Sequence, residues 1–172
     1  TSGVVPGVIM YNLLQDNLID KPNIMNSAVQ IFDIPLFGML LTLAAGFRLA
    51  KFNIDTRQTD SFIGLPTPAM SLFVLSLPLI TQYSDVDFVK DLIKNNYFLI
   101  GVTFVLSYLM HAELHLFSLK FKDYSIKNNS IKYIFLSISI ILIGTIHFLS
   151  IPIIIVIYVL LSLIKKVFPK KK

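Results

Sequence analysis

From Tyr133 to Ile164 the chain runs without a single Lys, Arg, Asp or Glu. As one straight helix that run would be about 48 Å long, well beyond the hydrocarbon core of about 30 Å that about 20 helical residues cross. A stretch this apolar commits the chain to a membrane. Pro152, preceded by Ser150, offers a break near its centre, which leaves one kinked helix or two shorter helices joined by a turn around Leu149 to Pro152. The flanks decide between them. Lys120, Lys122, Lys127 and Lys132 precede the run, and Lys165, Lys166, Lys170, Lys171 and Lys172 follow it. Loops rich in Lys and Arg stay cytoplasmic, so both flanks share one side only if the run crosses twice.

Further apolar stretches lie at Val4 to Leu14, Ile31 to Ala50, Thr67 to Tyr83 and Tyr97 to Leu119. The chain is 55% hydrophobic and 15% charged, where soluble domains average about 45–50% and about 25%. The first stretch reaches only about half of a bilayer; together with a start at Thr1 rather than Met, it predicts a helix whose beginning lies outside this sequence. With the Lys-rich flanks inside, the loop holding Arg48, Lys51 and Arg57 is also inside. The loops holding Asp16, Asp20 and Lys21, and Asp85, Asp87, Lys90, Asp91 and Lys94, are outside. The expected fold is all-α: a polytopic transmembrane helical bundle with five full spans plus a truncated first helix, a single membrane domain over residues 1–172. No Cys is present, which removes disulfides, thiolate metal sites and Cys nucleophiles. The net charge of +5 sits beside membrane spans, so anionic lipid rather than nucleic acid is the partner it implies. Neither a signal peptide nor an internal repeat is visible.

The chemistry-bearing residues gather at the inner end of the second stretch and in the loop after it. Arg48, Lys51 and Asn53 prolong the helix into the interface, and Gly64, Pro66 and Pro68 impose a stiff, non-helical approach to the next span. The result is a rigid cationic corner suited to phosphate oxygens, which guanidinium groups bind bidentately; plain snorkelling anchors would use the same residue types. His111, Glu113 and His115 fall near the end of the Tyr97 to Leu119 helix. His-Glu-x-x-His spacing is not met there, so a polar helix end is expected rather than zinc. Asp16 with Asp20, and Asp87 with Asp91, are spaced four apart in outer loops and read as solvated charge. A Ser/His/Asp triad and a phosphate-cradling Gly-rich loop are both missing.

The string FRLAKFNIDTRQTDSFIGLPTPA resembles the corresponding region of bacterial phosphatidylserine synthases in the CDP-alcohol phosphatidyltransferase family. TSGVVPGVIMY is similar to the segment directly after that family's metal-binding motif, and ELHLFSLKFKDYS looks like the cytoplasmic end of a later span. The resemblance implies transfer of a phosphatidyl group from CDP-diacylglycerol to L-serine with release of CMP, in a bacterial cytoplasmic membrane, with Mg or Mn as cofactor and a homodimer as the common assembly. It also implies a C-terminal fragment. The family signature, Asp-Gly-x-x-Ala-Arg followed by Gly-x-x-x-Asp-x-x-x-Asp, is missing here, so the metal ligands are expected upstream of Thr1 and no catalytic residue or metal ligand is assigned within the chain. Taken alone, this fragment is expected to be inactive. By resemblance Arg48 binds a phosphate or the serine carboxylate, Lys51, Asn53, Arg57 and Thr67 line the substrate pocket, and Ser2, Gly3, Gly64, Pro66 and Pro68 shape it.

Other readings stay open. A sibling transferase with glycerol phosphate or inositol phosphate as acceptor is the nearest. A transporter would place paired ionisable residues or broken helices at mid-membrane, whereas this chain keeps its charges at helix ends. A membrane scaffold would show stronger small-xxx-small stripes.

Overall fold

A computed structural model describes residues 2–19, 34–54, 62–116 and 126–167. These residues are all-α apart from one two-residue strand pair. Helix α1 is Val4–Ile19. A 3-10 turn at Phe37–Met39 leads into α2, Leu40–Ile54. Strand β1, Phe62–Ile63, precedes α3, Thr67–Tyr83; α4 is Asp87–Ile93 and α5 is Asn96–His111. Strand β2, His115–Leu116, is followed by α6, Ile126–Ile146, a 3-10 turn at His147–Leu149, and α7, Ser150–Val167.

Helix α1 is the centre of the bundle, packed against α2, α3 and α5, and its buried residues show why. Gly7, Met10, Leu14 and Leu18 recur at helical spacing along one face. Gly3 and Gly7 have no side chain to hold α2 away: a Cβ at either would collide with Ala45 or Thr42, the close approach that small residues four apart permit. Met10 and Leu14 then meet Leu41, Met70, Val74 and Leu99 in one cluster. α2 packs on α5, and α3 on α7.

Three boundaries differ from expectation. α1 does not stop at Leu14 but continues through Asp16 to Ile19, so Asp16 is helical rather than in an outer loop. The Asn17 side chain donates to the Ile93 carbonyl at 2.9 Å and ties this last turn to α4. Asp87 and Asp91 are likewise on a helix, α4; Asp20 lies outside the described residues. α5 ends at His111, well short of Leu119, because Ala112 is extended (φ −61°, ψ 139°). Tertiary structure explains that stop: the Leu65 amide donates to the Leu109 carbonyl and the Gly64 amide to the Leu114 carbonyl, each at 2.9 Å. Phe62 and Ile63 then pair antiparallel with Leu116 and His115. Glu113 and His115 are therefore not on a helix with His111.

By length and apolarity two stretches among the described residues suffice to cross a membrane, Ile34–Asn53 and Ile131–Leu163, and a third does if α4 and α5, bent by 75°, are taken as one. Five full spans are not met on that measure. α1 and α3, at 16 and 17 residues, reach about 24–26 Å. The stretch Ile131–Leu163 is not straight, however. His147 adopts φ 45°, and the Phe135 and Tyr158 rings stack with centroids 5.8 Å apart; a straight helix would hold those residues about 34 Å apart. α6 and α7 are a helical hairpin whose tip is His147–Leu149, and the Ser150 hydroxyl fastens it by donating to the His147 carbonyl.

The hairpin tip defines one end of the bundle. Phe148 stacks on Tyr83 at the end of α3, with centroids 5.5 Å apart, and the end of α1 reaches α4 there. The opposite end gathers the start of α1, the last turns of α2, the start of α3 and the end of α5.

Candidate functional site

At that second end, Arg48 projects from α2 toward the first residue of α3. Its Nη1 donates to Thr67 Oγ1 at 3.1 Å. Arg48 is half-buried, and its Nε is enclosed with no hydrogen-bond partner among the described residues. A guanidinium has five N–H donors and strong affinity for planar oxyanions. One arm tied to Thr67 and one donor unused is an orientation that a phosphate or carboxylate oxygen can complete.

Local sequence dictates the position of Thr67. Gly64 has φ 75°, a region other residues enter at a cost, and a Cβ there would run into the Met110 carbonyl. Only glycine lets the chain press onto the end of α5 at this point. Leu65 is then fully buried, and Pro66 caps α3 at φ −59° and ψ 137°. Pro68 falls in the first turn, where its missing N–H has no helical partner to lose. The corner between α2 and α3 is thus fixed from both sides.

One turn into α3, the Ser71 hydroxyl lies within reach of two carbonyls, Ser2 and Thr67, the latter at 2.9 Å. Its single proton serves one of them at a time. Thr42 on α2 donates to the Gly3 carbonyl at 3.2 Å. Ser71 and Thr42 therefore dock the Ser2-Gly3 segment onto α2 and α3, beside the elements that carry Arg48.

Of the residues expected here, the structure brings together Arg48, Thr67, Ser2 and Gly3, with Gly64 and Pro66 shaping the corner. Pro68 is exposed. Lys51 and Asn53 are exposed on the last turn of α2, and no hydrogen bond or ion pair joins them to Arg48 among the described residues. Arg57 lies outside those residues. Sequence reading missed Ser71 and Thr42. Ser71 stands four residues after Thr67 and so shares its helix face, a signal that spacing alone carries. The Gly3-x-x-x-Gly7 spacing that seats α1 against α2 was also readable.

The residues fit an oxyanion better than a cation. No group of three or more His, Cys, Asp or Glu that could hold a metal ion occurs among the described residues. His111 is exposed, and its Nδ1 bonds the Ser107 carbonyl at 2.9 Å within its own helix. Compared with models of known families, with curated proteins and with solved structures, the chain matches none.

Proposed function

We propose that the chain forms the substrate-side part of a membrane phosphatidyltransferase that passes the phosphatidyl group of CDP-diacylglycerol to L-serine and releases CMP. The observation that carries this reading is the Arg48 guanidinium at the end of the bundle, held by Thr67 with its Nε unpaired among the described residues. A guanidinium that served only as an anchor would turn its head to water. This one is half-buried against α3, beside a corner stiffened by Gly64 and Pro66.

In the reaction the serine hydroxyl oxygen attacks the lipid-side phosphorus, the bond from that phosphorus to the CMP oxygen breaks, and the hydroxyl proton leaves the nucleophile. Arg48 contributes by holding an oxygen of the phosphate, or the serine carboxylate, in place; orientation of this kind lowers the barrier without a proton transfer by this chain. The base and the Mg or Mn ligands are residues outside this sequence in this proposal. Five crossings are part of the same reading: α2, α3, α5, α6 and α7 alternate direction between the two ends, and the shorter α3 and α5 fit a locally thinned bilayer. The end bearing Arg48 and Lys51 then faces the cytoplasm.

The test is CMP release from CDP-diacylglycerol by membranes expressing the complete gene, with Mn or Mg, with and without L-serine. Release should require serine, and Arg48→Ala should lower it by about ten- to a hundredfold at equal protein level, the loss of one or two charge-assisted hydrogen bonds. Release that instead requires glycerol phosphate or inositol phosphate would reassign the acceptor. Serine-independent release, or an unaffected Arg48→Ala, would overturn the reading.

A further inference from the structure

At the end of the bundle opposite Arg48, we infer that α4 is a membrane-surface helix, seated in the headgroup layer of a zwitterionic lipid leaflet and not part of any crossing. This inference rests on the five-crossing arrangement given with the proposed function, in which α3 and α5 cross, and not on the chemistry assigned to Arg48.

Helix α4 has seven residues, too few to cross, and is bent by 75° from α5. If α5 runs along the membrane normal, α4 lies close to the membrane plane. Its depth is fixed by its neighbours. Tyr83 ends α3 and Asn96 begins α5, and both helices lead back into the bundle from the same end. The α6–α7 hairpin tip lies there too, through the Tyr83–Phe148 stack. The short connection that includes α4 therefore sits where helix ends meet headgroups.

Burial within the protein does not explain its composition. α4 buries Ile93 in the core, and Asn17 of α1 clamps the Ile93 carbonyl. On the outer side Phe88 is 71% exposed, and Tyr97, just beyond the bend, is 87% exposed. In water these rings would be a liability, but aromatic rings are enriched at the boundary between headgroups and acyl chains. The charges beside them carry no basic excess: Asp85, Asp87 and Asp91 stand against Lys90 and Lys94, with Lys90 paired to Asp87 at 3.7 Å. A connection without a basic excess is not drawn to anionic lipid, so zwitterionic headgroups suit it.

The chain has no Trp, so Phe88→Trp makes a sole reporter at an exposed site that tolerates the change. The variant is reconstituted in phosphatidylcholine vesicles and quenched by lipids brominated near the headgroup, by lipids brominated deep in the chains, and by aqueous iodide. Tyr97→Trp repeats the measurement across the bend, and Ile140→Trp, exposed on α6, calibrates the deep signal. We expect Phe88→Trp and Tyr97→Trp to be quenched most by the shallow bromines and Ile140→Trp by the deep ones. Dominant quenching of Phe88→Trp by iodide would place α4 in water. Dominant quenching by deep bromines would make α4 the first part of a broken span, and protection from all three would mean a protein partner covers it. Each of those three results overturns the inference.

Discussion

Arg48 and Thr67 are 19 residues apart in sequence and are joined by one hydrogen bond. Removing the hydroxyl while keeping the shape isolates that bond. Thr67→Val should destabilise the protein by about 1.5–3 kcal/mol, the cost of leaving a half-buried charged donor unpaired, while Thr67→Ser should keep most of the stability. Denaturation in mixed micelles checks both, and equal stability of the two variants would mean that the bond contributes nothing. The pairing was partly legible beforehand. Arg, Gly and Pro types in the stretch from Arg48 to Pro68 announce a stiff cationic corner, because Gly and Pro restrict the backbone whatever surrounds them. Ser71 was not singled out, since a serine in an apolar helix reads as filler until the backbone of another segment arrives beside it. Lys51 and Asn53 are exposed on the last turn of α2.

Among the elements, α3 was read correctly to the residue, Thr67 to Tyr83, because its limits are local: prolines open it, and Ser84 and Asp85 close its apolar run. The end of α5 was misplaced because its cause is remote; the amides of Gly64 and Leu65 take carbonyls around Leu109 and Leu114, and nothing near Ala112 in sequence announces this. α1 was read as too short because Asp16 was taken as a boundary, although the last turns of a helix tolerate an exposed carboxylate such as that of Asp16. The seam between α1 and α2 gives a contrast that depends on packing alone. Gly38 lies so close to α1 that a Cβ would collide with the Met10–Tyr11 backbone, whereas Gly46, on the same stretch, has open space around it. Gly38→Ala should cost about 1–3 kcal/mol, since the backbone it meets cannot turn aside. Gly46→Ala should add about 0.5–1 kcal/mol by favouring the helix. Changes of the same sign in denaturation would show that α1 and the 3-10 turn before α2 do not approach this closely.

For the whole molecule, the decisive feature is the return of α6 onto α7, which sets the number of crossings and the side on which the chain's basic end lies. The uncharged run from Tyr133 to Ile164 declares a membrane but is equally compatible with one long tilted helix, since periodicity in an all-apolar segment carries no directional signal. Only the excess of Lys on both flanks separated the two, and that argument concerns topology, not geometry. The geometry is the Phe135–Tyr158 stack and the left-handed His147. The chain has no Cys, so spin labels can be placed only where cysteines are introduced, and Leu136 and Leu160 are exposed sites on the two helices. In Leu136→Cys with Leu160→Cys, a hairpin holds the labels within about 20 Å, given helix spacings of 8–10 Å. A continuous helix separates them by about 36 Å. Pulsed electron spin resonance in vesicles distinguishes the two without reference to activity. The short distance would place the segment after α7 on the same side of the membrane as the segment before α6, which is the side of Arg48 if α3 and α5 also cross. The long distance would reverse the exit of the chain, and the five-crossing arrangement would have to be abandoned even if Arg48 and Thr67 remained where they are.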